Sequence, residues 1–247
     1  MSSTSHPNAQ NPTPFDDLRV AITGGTSGLG LALVTALHQR GAAVAYVARH
    51  EDRFAAVQQQ AAGARGLVGD VSEKDQIHRL ALQITASLGG LDLLINNASS
   101  LGPVPLALLA DTECEDFQHA LDTNLLGPFR LTKALLGALA ASAREGRPAL
   151  VVNITSDAAV TPYEGWGAYG ASKAALSHLS QIWDQELDSQ GVRVLAFDPG
   201  DMDTPLHLAA VPDADRAALK SPTDSASELL TMLTGHLAQP PATEVAS

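Results

Sequence analysis

Residues Arg19 to Arg40 read RVAITGGTSGLGLALVTALHQR, and this stretch decides the fold. Arg19 to Thr23 is a short apolar run, the pattern of a buried strand. Gly24-Gly25-Thr26-Ser27-Gly28-Leu29-Gly30 follows, and Leu31 to Arg40 then has a helical pattern. Glycines permit a tight turn and a close approach of backbone to phosphate. The free N–H groups and the dipole at the helix start favour an anion there. The spacing is G-x-x-x-G-x-G rather than G-x-G-x-x-G, and a glycine turn between strand and helix also occurs for structural reasons alone. Its meaning therefore depends on what surrounds it.

Working outward, the pattern repeats. Ala42 to Val47 predicts a second strand, Glu51 to Ala62 a helix, Gly66 to Val71 a strand ending in an acid, and Glu73 to Leu88 a helix. Leu91 to Asn96 predicts a fourth strand. Cys114 to Ala143 predicts a long helical stretch bent at Gly127-Pro128. Leu150 to Ile154, Ala168 to Leu187, Val192 to Phe197 and Asp224 to His236 predict strand, helix, strand and helix. Strands alternating with helices imply an α/β fold of Rossmann type, a doubly wound parallel sheet with helices on both faces. Residues 1–17 read as a disordered tail, and 18–247 as a single domain without an internal linker.

Composition narrows the functions. The chain has 247 residues, 45% hydrophobic and only 4% aromatic, so Ala, Leu and Val build its core. Fifteen Lys and Arg against 27 Asp and Glu give a net charge of −12, which argues against nucleic acid or an anionic membrane as partner. A single cysteine, Cys114, excludes an intrachain disulfide. No signal peptide or long apolar span is visible, so a cytoplasmic location is expected. There is no G-x-S-x-G elbow, and no H-E-x-x-H or cysteine/histidine cluster that would hold a metal.

The strand ends carry the polar residues. Ligands of open parallel sheets bind outside the carboxyl ends of the strands. Ala48 and Arg49 follow the second strand, where an acid would bind the ribose 2′-hydroxyl of NAD. Alanine leaves room and Arg49 supplies charge for a 2′-phosphate, so NADP(H) is expected, with NAD(H) as the alternative. Asp70 either meets adenine or caps the next helix. Asn124, a mediocre helix former, either is a satisfied amide in a kink or holds a water near the site. Ser156 follows the fifth strand. Tyr169 and Lys173 stand four apart on one helix and so share a face. A tyrosine normally titrates near ~10. A neighbouring ammonium is expected to lower that value towards neutrality.

Taken in order, TGGTSGLG at Thr23 to Gly30, Asp70-Val71, NNA at Asn96 to Ala98, Asn124, Ser156, YGASK at Tyr169 to Lys173, and Pro199-Gly200 with Thr204 resemble the short-chain dehydrogenase/reductase family. The resemblance covers about Leu18 to Thr204. It implies a nicotinamide-dependent carbonyl or alcohol oxidoreductase. Catalysis would fall to Asn124, Ser156, Tyr169 and Lys173, with Tyr169 as general acid or base. Gly24, Thr26, Ser27, Gly28, Leu29 and Gly30 would cradle the phosphates. Asp70 and Val71 would meet adenine, and Asn97 and Ala98 the ribose. Lys173, beside Tyr169, would bind the nicotinamide ribose. Pro199, Gly200, Met202 and Thr204 would border the nicotinamide. The substrate would be a small carbonyl or alcohol, bordered by Leu101, Asp157, Tyr163, Trp166, Asp201 and His207, with Pro205 to Ser221 over it. Alternatives are a nucleotide-binding regulator with little turnover, and an epimerase or dehydratase on the same fold. Two departures stand out. Ser99 replaces the usual glycine after NNA, and Leu230 to Ser247 matches poorly the family's seventh strand, which often builds a tetramer interface. A homodimer or homotetramer is expected.

Overall fold

The computed structural model describes residues 13–237. Six strands form one parallel sheet: β1 Arg19–Thr23, β2 Ala43–Ala48, β3 Arg65–Val68, β4 Leu93–Asn96, β5 Leu150–Ile154 and β6 Arg193–Phe197. Their order across the sheet is β3-β2-β1-β4-β5-β6. The chain builds outward from β1 to β3, then returns to the other side of β1 with β4. That reversal opens a crevice at the carboxyl ends of β1 and β4.

The strands are near-continuous apolar runs because both faces are covered. Successive side chains point to opposite faces. Val20 and Ile22 of β1, Leu93 and Ile95 of β4, and Val152 of β5 pack on one side with α1 Gly28–Gln39, α2 Phe54–Gln60 and α8 Pro222–Leu237. Ala21, Leu94 and Val151 face the opposite layer, made by α3 Ile77–Leu88, α5 Gly127–Arg144 and α6 Gly167–Leu187. Two shorter helices complete the set, α4 Cys114–Leu121 and α7 Pro205–Ala210. Leu229, Leu230 and Leu233 are buried, so α8 closes the first layer against α1.

Several boundaries differ from expectation. The expected tail is ordered over residues 13–17: Phe15 is only 3% exposed in the core, and the Thr13 hydroxyl donates to the Arg40 carbonyl at 2.8 Å. An aromatic ring with a core to enter outweighs the polar composition around it. Residues 1–12 and 238–247 lie outside the described residues, and with them the end of the region expected to lack a seventh strand. The irregularity in this helical stretch falls just before Gly127-Pro128, in a π-helical turn, Asp122–Leu126. Pro128 lies in the first turn of α5, directly after that turn. The helix expected over Glu51 to Ala62 begins as a 3₁₀ turn, Glu51–Arg53, before α2.

At the amino edge of the sheet, Asp92 is fully buried. Its carboxylate accepts from Arg19 Nη2 at 2.7 Å and from Arg147 Nη2 at 2.6 Å, and also from the Arg19 backbone N–H. These donors hold its carboxyl down at about 2 although burial alone would raise it.

Candidate active site

The glycine stretch becomes a loop with almost no clearance. Gly24 and Gly28 adopt φ +69° and +49°, the left-handed region that glycine tolerates best. A Cβ on Gly30 would lie 2.1 Å from the Gly24 carbonyl oxygen. Asn97 holds this loop from below, its Nδ2 donating to the Thr23 carbonyl at 2.9 Å and to that of Gly24 at 3.2 Å. The Thr23 hydroxyl in turn accepts from the N–H groups of Asn97 and Ala98, both at 3.0 Å. Ser27 starts α1 without any side-chain cap, and no acid stands in the first turn. The first N–H groups of a twelve-residue helix therefore face the crevice with a bare positive end. This cradle fits the pyrophosphate of a dinucleotide.

The crevice is a cavity of about 650 Å³. Every residue expected to touch cofactor lines it, from Gly24 at one end through Arg49, Asp70, Val71, Asn97 and Ala98 to Pro199, Gly200, Met202 and Thr204 at the other. Ser156, Tyr169 and Lys173 line it too, as do the six residues expected around the substrate. Asp70 does not cap the next helix, which starts without a side-chain cap; its carboxylate instead accepts from the Ser72 N–H at 2.9 Å and hydroxyl at 2.7 Å.

Asn124 does not line the cavity. It is fully buried in the π-helical turn, and its amide is saturated. Oδ1 accepts from the Ser100 N–H at 2.8 Å and the Ser99 hydroxyl at 3.2 Å. Nδ2 donates to the Ser100 carbonyl at 2.7 Å and to the Ser172 hydroxyl at 2.8 Å. The amide ties the loop after β4 to α6. Ser99, only a mild departure in the sequence, is part of this staple.

Ser156 caps a short 3₁₀ turn. Its oxygen accepts from the Ala158 N–H at 3.2 Å, and its hydroxyl donates to Asp157 Oδ1 at 3.1 Å. Asp157 Oδ2 also accepts from the Tyr163 hydroxyl at 2.6 Å. On α6, Tyr169 is 8% exposed and Lys173 is 2% exposed, one turn apart. Lys173 Nζ donates to the Ile154 carbonyl at 2.8 Å and lies 5.5 Å from the Tyr169 ring centre.

The expected lowering of the tyrosine is not what these surroundings produce. Burial pushes the Tyr169 phenol up to about 12, the Ser156 and Ser99 hydroxyls oppose this, and the charges of Asp198 and Asp157 add to it. Burial also brings the Lys173 ammonium down to about 7, since no carboxylate stands opposite. Helix spacing revealed that the two side chains share a face. It could not reveal that both are taken out of water, which here outweighs their mutual influence.

The loop after β6 closes the cavity at the end beside Tyr169. Its base is zipped by Lys220 N–H to the Asp201 carbonyl at 3.0 Å and Asp203 N–H to the Lys220 carbonyl at 2.9 Å. Arg216 clamps Asp203 with two bonds, at 3.0 and 2.9 Å. Thr204 caps α7, and Leu206, Ala209 and Ala210 pack against Leu101, Trp166 and Tyr169.

The sheet order, the two helical layers and the carboxyl-edge crevice define a Rossmann-type α/β protein. Within that class the chain belongs to the short chain dehydrogenase family, which it matches over residues 19–215. It is 30% identical over 224 residues to an uncharacterized oxidoreductase of Staphylococcus aureus strain MRSA252, covering 90% of this chain and 93% of that one. It is 33% identical over 208 residues to a short chain dehydrogenase of Pseudocercospora fijiensis, covering 81% of this chain and 64% of that protein. Among solved structures, a short chain dehydrogenase/reductase family protein superposes with a TM-score of 0.81 at 30% identity, covering 93% of this chain and 95% of that one. Two others share the fold at 23% identity, each with a TM-score of 0.81. One is a 3-ketoacyl-(acyl-carrier-protein) reductase from Brucella melitensis complexed with NADH, covering 88% and 91% of the two chains. The other is a short chain dehydrogenase from Shigella flexneri complexed with NADP, covering 93% and 94%. No helix among the described residues is long and apolar enough to cross a membrane.

Proposed function

We propose that this protein uses NADPH to reduce a ketone or aldehyde to an alcohol, or runs the reverse reaction, with Tyr169 as the proton-transferring group. The observation that carries this is the shared cavity of the Tyr169 and Ser156 hydroxyls with the glycine cradle. When bound, the nicotinamide supplies or accepts the hydride. The chain handles the proton and the geometry. Ser156 holds the substrate oxygen. Tyr169 donates from its hydroxyl to that oxygen as the alcohol forms, and accepts the proton in the reverse sense. A phenol pushed up to about 12 is protonated at neutral pH and so holds the proton it would donate. Lys173 spends one donor on the Ile154 carbonyl and keeps two for ribose hydroxyls. Asn124 positions α6 and the loop after β4. Ala48 and Arg49, with no acid at the end of β2, support NADPH over NADH.

Two measurements test this. Titration with NADPH and NADH, followed by nicotinamide fluorescence, should show tighter NADPH binding, and Ala48→Asp should move the preference towards NADH. Tyr169→Phe should lower carbonyl reduction at least ~10²-fold, the scale of a general acid, while NADPH still binds. Unchanged turnover in that variant would refute the assignment. We further propose that the chain from Thr13, not from residue 18, acts as one domain in a cytoplasmic homodimer or homotetramer. Light scattering checks the oligomer, and a monomer would overturn that part.

A further inference from the structure

Apolar side chains left in water are unevenly placed in this chain. Among the described residues eight large ones are exposed, and five of them, Val104, Leu108, Leu109, Val160 and Tyr163, fall in two segments, 104–109 and 160–163. Val104 is 60% exposed, Leu109 62% and Val160 89%. Single exposed apolar residues are ordinary, but a patch gathered beside a cavity marks a binding surface. Both segments border the cavity, since Val104 and Tyr163 line it. They also meet at the start of α6. The Leu109 side chain fills the space that a Cβ on Gly167 would take, and Leu106 and Trp166 pack against Leu101, Ala158 and Tyr169.

A row of rings leads from this rim to the Tyr169 hydroxyl. The Tyr163 and Trp166 rings have centres 6.3 Å apart, and Trp166 meets Tyr169 edge-on at 5.6 Å. The Tyr163 hydroxyl is already spent on Asp157 at 2.6 Å, so its ring is what it has left to offer. Leu101, Leu206, Ala209 and Ala210 complete an apolar wall.

The charges at this end are mostly negative. Asp157 and Asp201 line the cavity here, and Asp198 acts on the Tyr169 phenol. His207 lies beside them, its Nδ1 3.6 Å from Asp201. The arginines that line the cavity, Arg49 and Arg53, follow β2 at the far end. In the loop after β6, Arg216 and Lys220 bond Asp203 and Glu228 instead. Lys173 is buried against the Ile154 carbonyl. A carboxylate or phosphate carried on the substrate would therefore meet carboxylates at the rim.

We propose that the substrate is an uncharged carbonyl compound with an aliphatic tail. The tail runs from Tyr169 along the rings of Trp166 and Tyr163 and lies on Val104 and Leu109. This rests on the carbonyl reduction proposed above and names its substrate class. It gives the exposed rim an occupant that is continuous with the reacting end of the cavity, and it excludes keto acids and carbonyl compounds that end in a phosphate.

The test is a chain-length series. The unaltered protein is given NADPH with 2-butanone, 2-hexanone, 2-octanone or 2-decanone. The ratio kcat/KM should rise about 2- to 4-fold for each methylene that leaves water. In the double variant Val104→Ser with Leu109→Ser, the preference for 2-decanone over 2-butanone should shrink at least ~10-fold. Both side chains are exposed, so the variant should fold with an unaltered Tm. The compound 9-oxodecanoate has a carboxylate where 2-decanone has its last methyl. It should be at least ~10-fold poorer than its methyl ester, and added salt should narrow that gap. A flat series, or a keto acid as good as its ester, overturns the tail site and leaves carbonyl reduction in place. Loss of an oligomer in the double variant by light scattering, with the chain-length preference unchanged, assigns the rim to a second copy and overturns it too. If no ketone is reduced, the reduction itself fails, and binding decides the apolar surface. Tryptophan fluorescence titrated with the same ketones should then still show affinity rising with length, and equal affinities would overturn the surface as well.

Discussion

The two edges of the sheet both bury a charge, and they treat it oppositely. At the amino edge Asp92 is surrounded by Arg19, Arg147, Ser142 and backbone, and its carboxyl is held at about 2. At the carboxyl edge Lys173 is equally buried, has a carbonyl for company, and is brought down to about 7. The first charge is neutralised by partners within the fold, so it ties β1, β4 and the segment before β5 together. The second has its partners withheld, so its charge remains responsive to whatever enters the cavity. A buried pair costs most when one member is removed. A buried lone ammonium is already a cost, and proteins retain such costs mainly at sites of function.

The comparison can be broken most sharply at Lys173. Lys173→Met should cut turnover about 10²- to 10³-fold, the scale of a group that supports proton transfer. It should also raise stability near pH 7, because an unpaired buried amine is replaced by an apolar chain of similar length. Urea unfolding should show the sign directly. A lysine lowered in the fold binds fewer protons than in the unfolded chain, so stability of the unaltered protein should rise from about pH 7 towards the ordinary lysine range. That rise should vanish in Lys173→Met. A variant both inactive and destabilised would mean that the two edges are alike.

Asp92→Asn should do the reverse, removing about 3 kcal/mol of stability by stranding two guanidiniums, with nucleotide affinity unchanged at temperatures where the variant is folded. The same residue predicts an acid arm. Its folded value lies below its unfolded one, so its contribution is present above about pH 4 and is lost as pH falls towards 2. From 3.8 to about 2 this amounts to about 2 kcal/mol. Acid unfolding should lose that component in Asp92→Asn. The smallest effect should come from Ser99→Ala, which removes a hydroxyl facing Tyr169 and bonding Asn124. Turnover should fall about 3- to 10-fold, a typical net hydrogen bond, with NADPH affinity unchanged. Ser99→Thr should restore it.

The carboxyl edge was legible in the sequence because glycines, short apolar strands and the Tyr169–Lys173 spacing are local signals. β1 and β5 fall on the expected residues, and Ser156, Tyr169 and Lys173 meet in one cavity. The amino edge was not legible: Arg19, Asp92 and Arg147 lie far apart in the chain, and no pattern marks them as partners. Within the site, the missed features are of the same kind. The pKa of Tyr169 depends on burial by distant segments, and the saturation of Asn124 depends on Ser100 and Ser172. Phe15 was missed for the opposite reason, since one buried ring was hidden in a polar stretch.

The loop zipped by Asp201, Asp203 and Lys220 has a consequence for the history of such a chain. Its two ends meet at its base, so the residues between can be lengthened or rewritten with little effect on the sheet. Closing a loop of twice the length costs only about 0.6 kcal/mol more. The glycine cradle, where one added carbon would strike a carbonyl at 2.1 Å, has no such latitude. New substrate ranges can therefore be acquired by drift in a tethered appendage, while the cradle opposite tolerates almost no change.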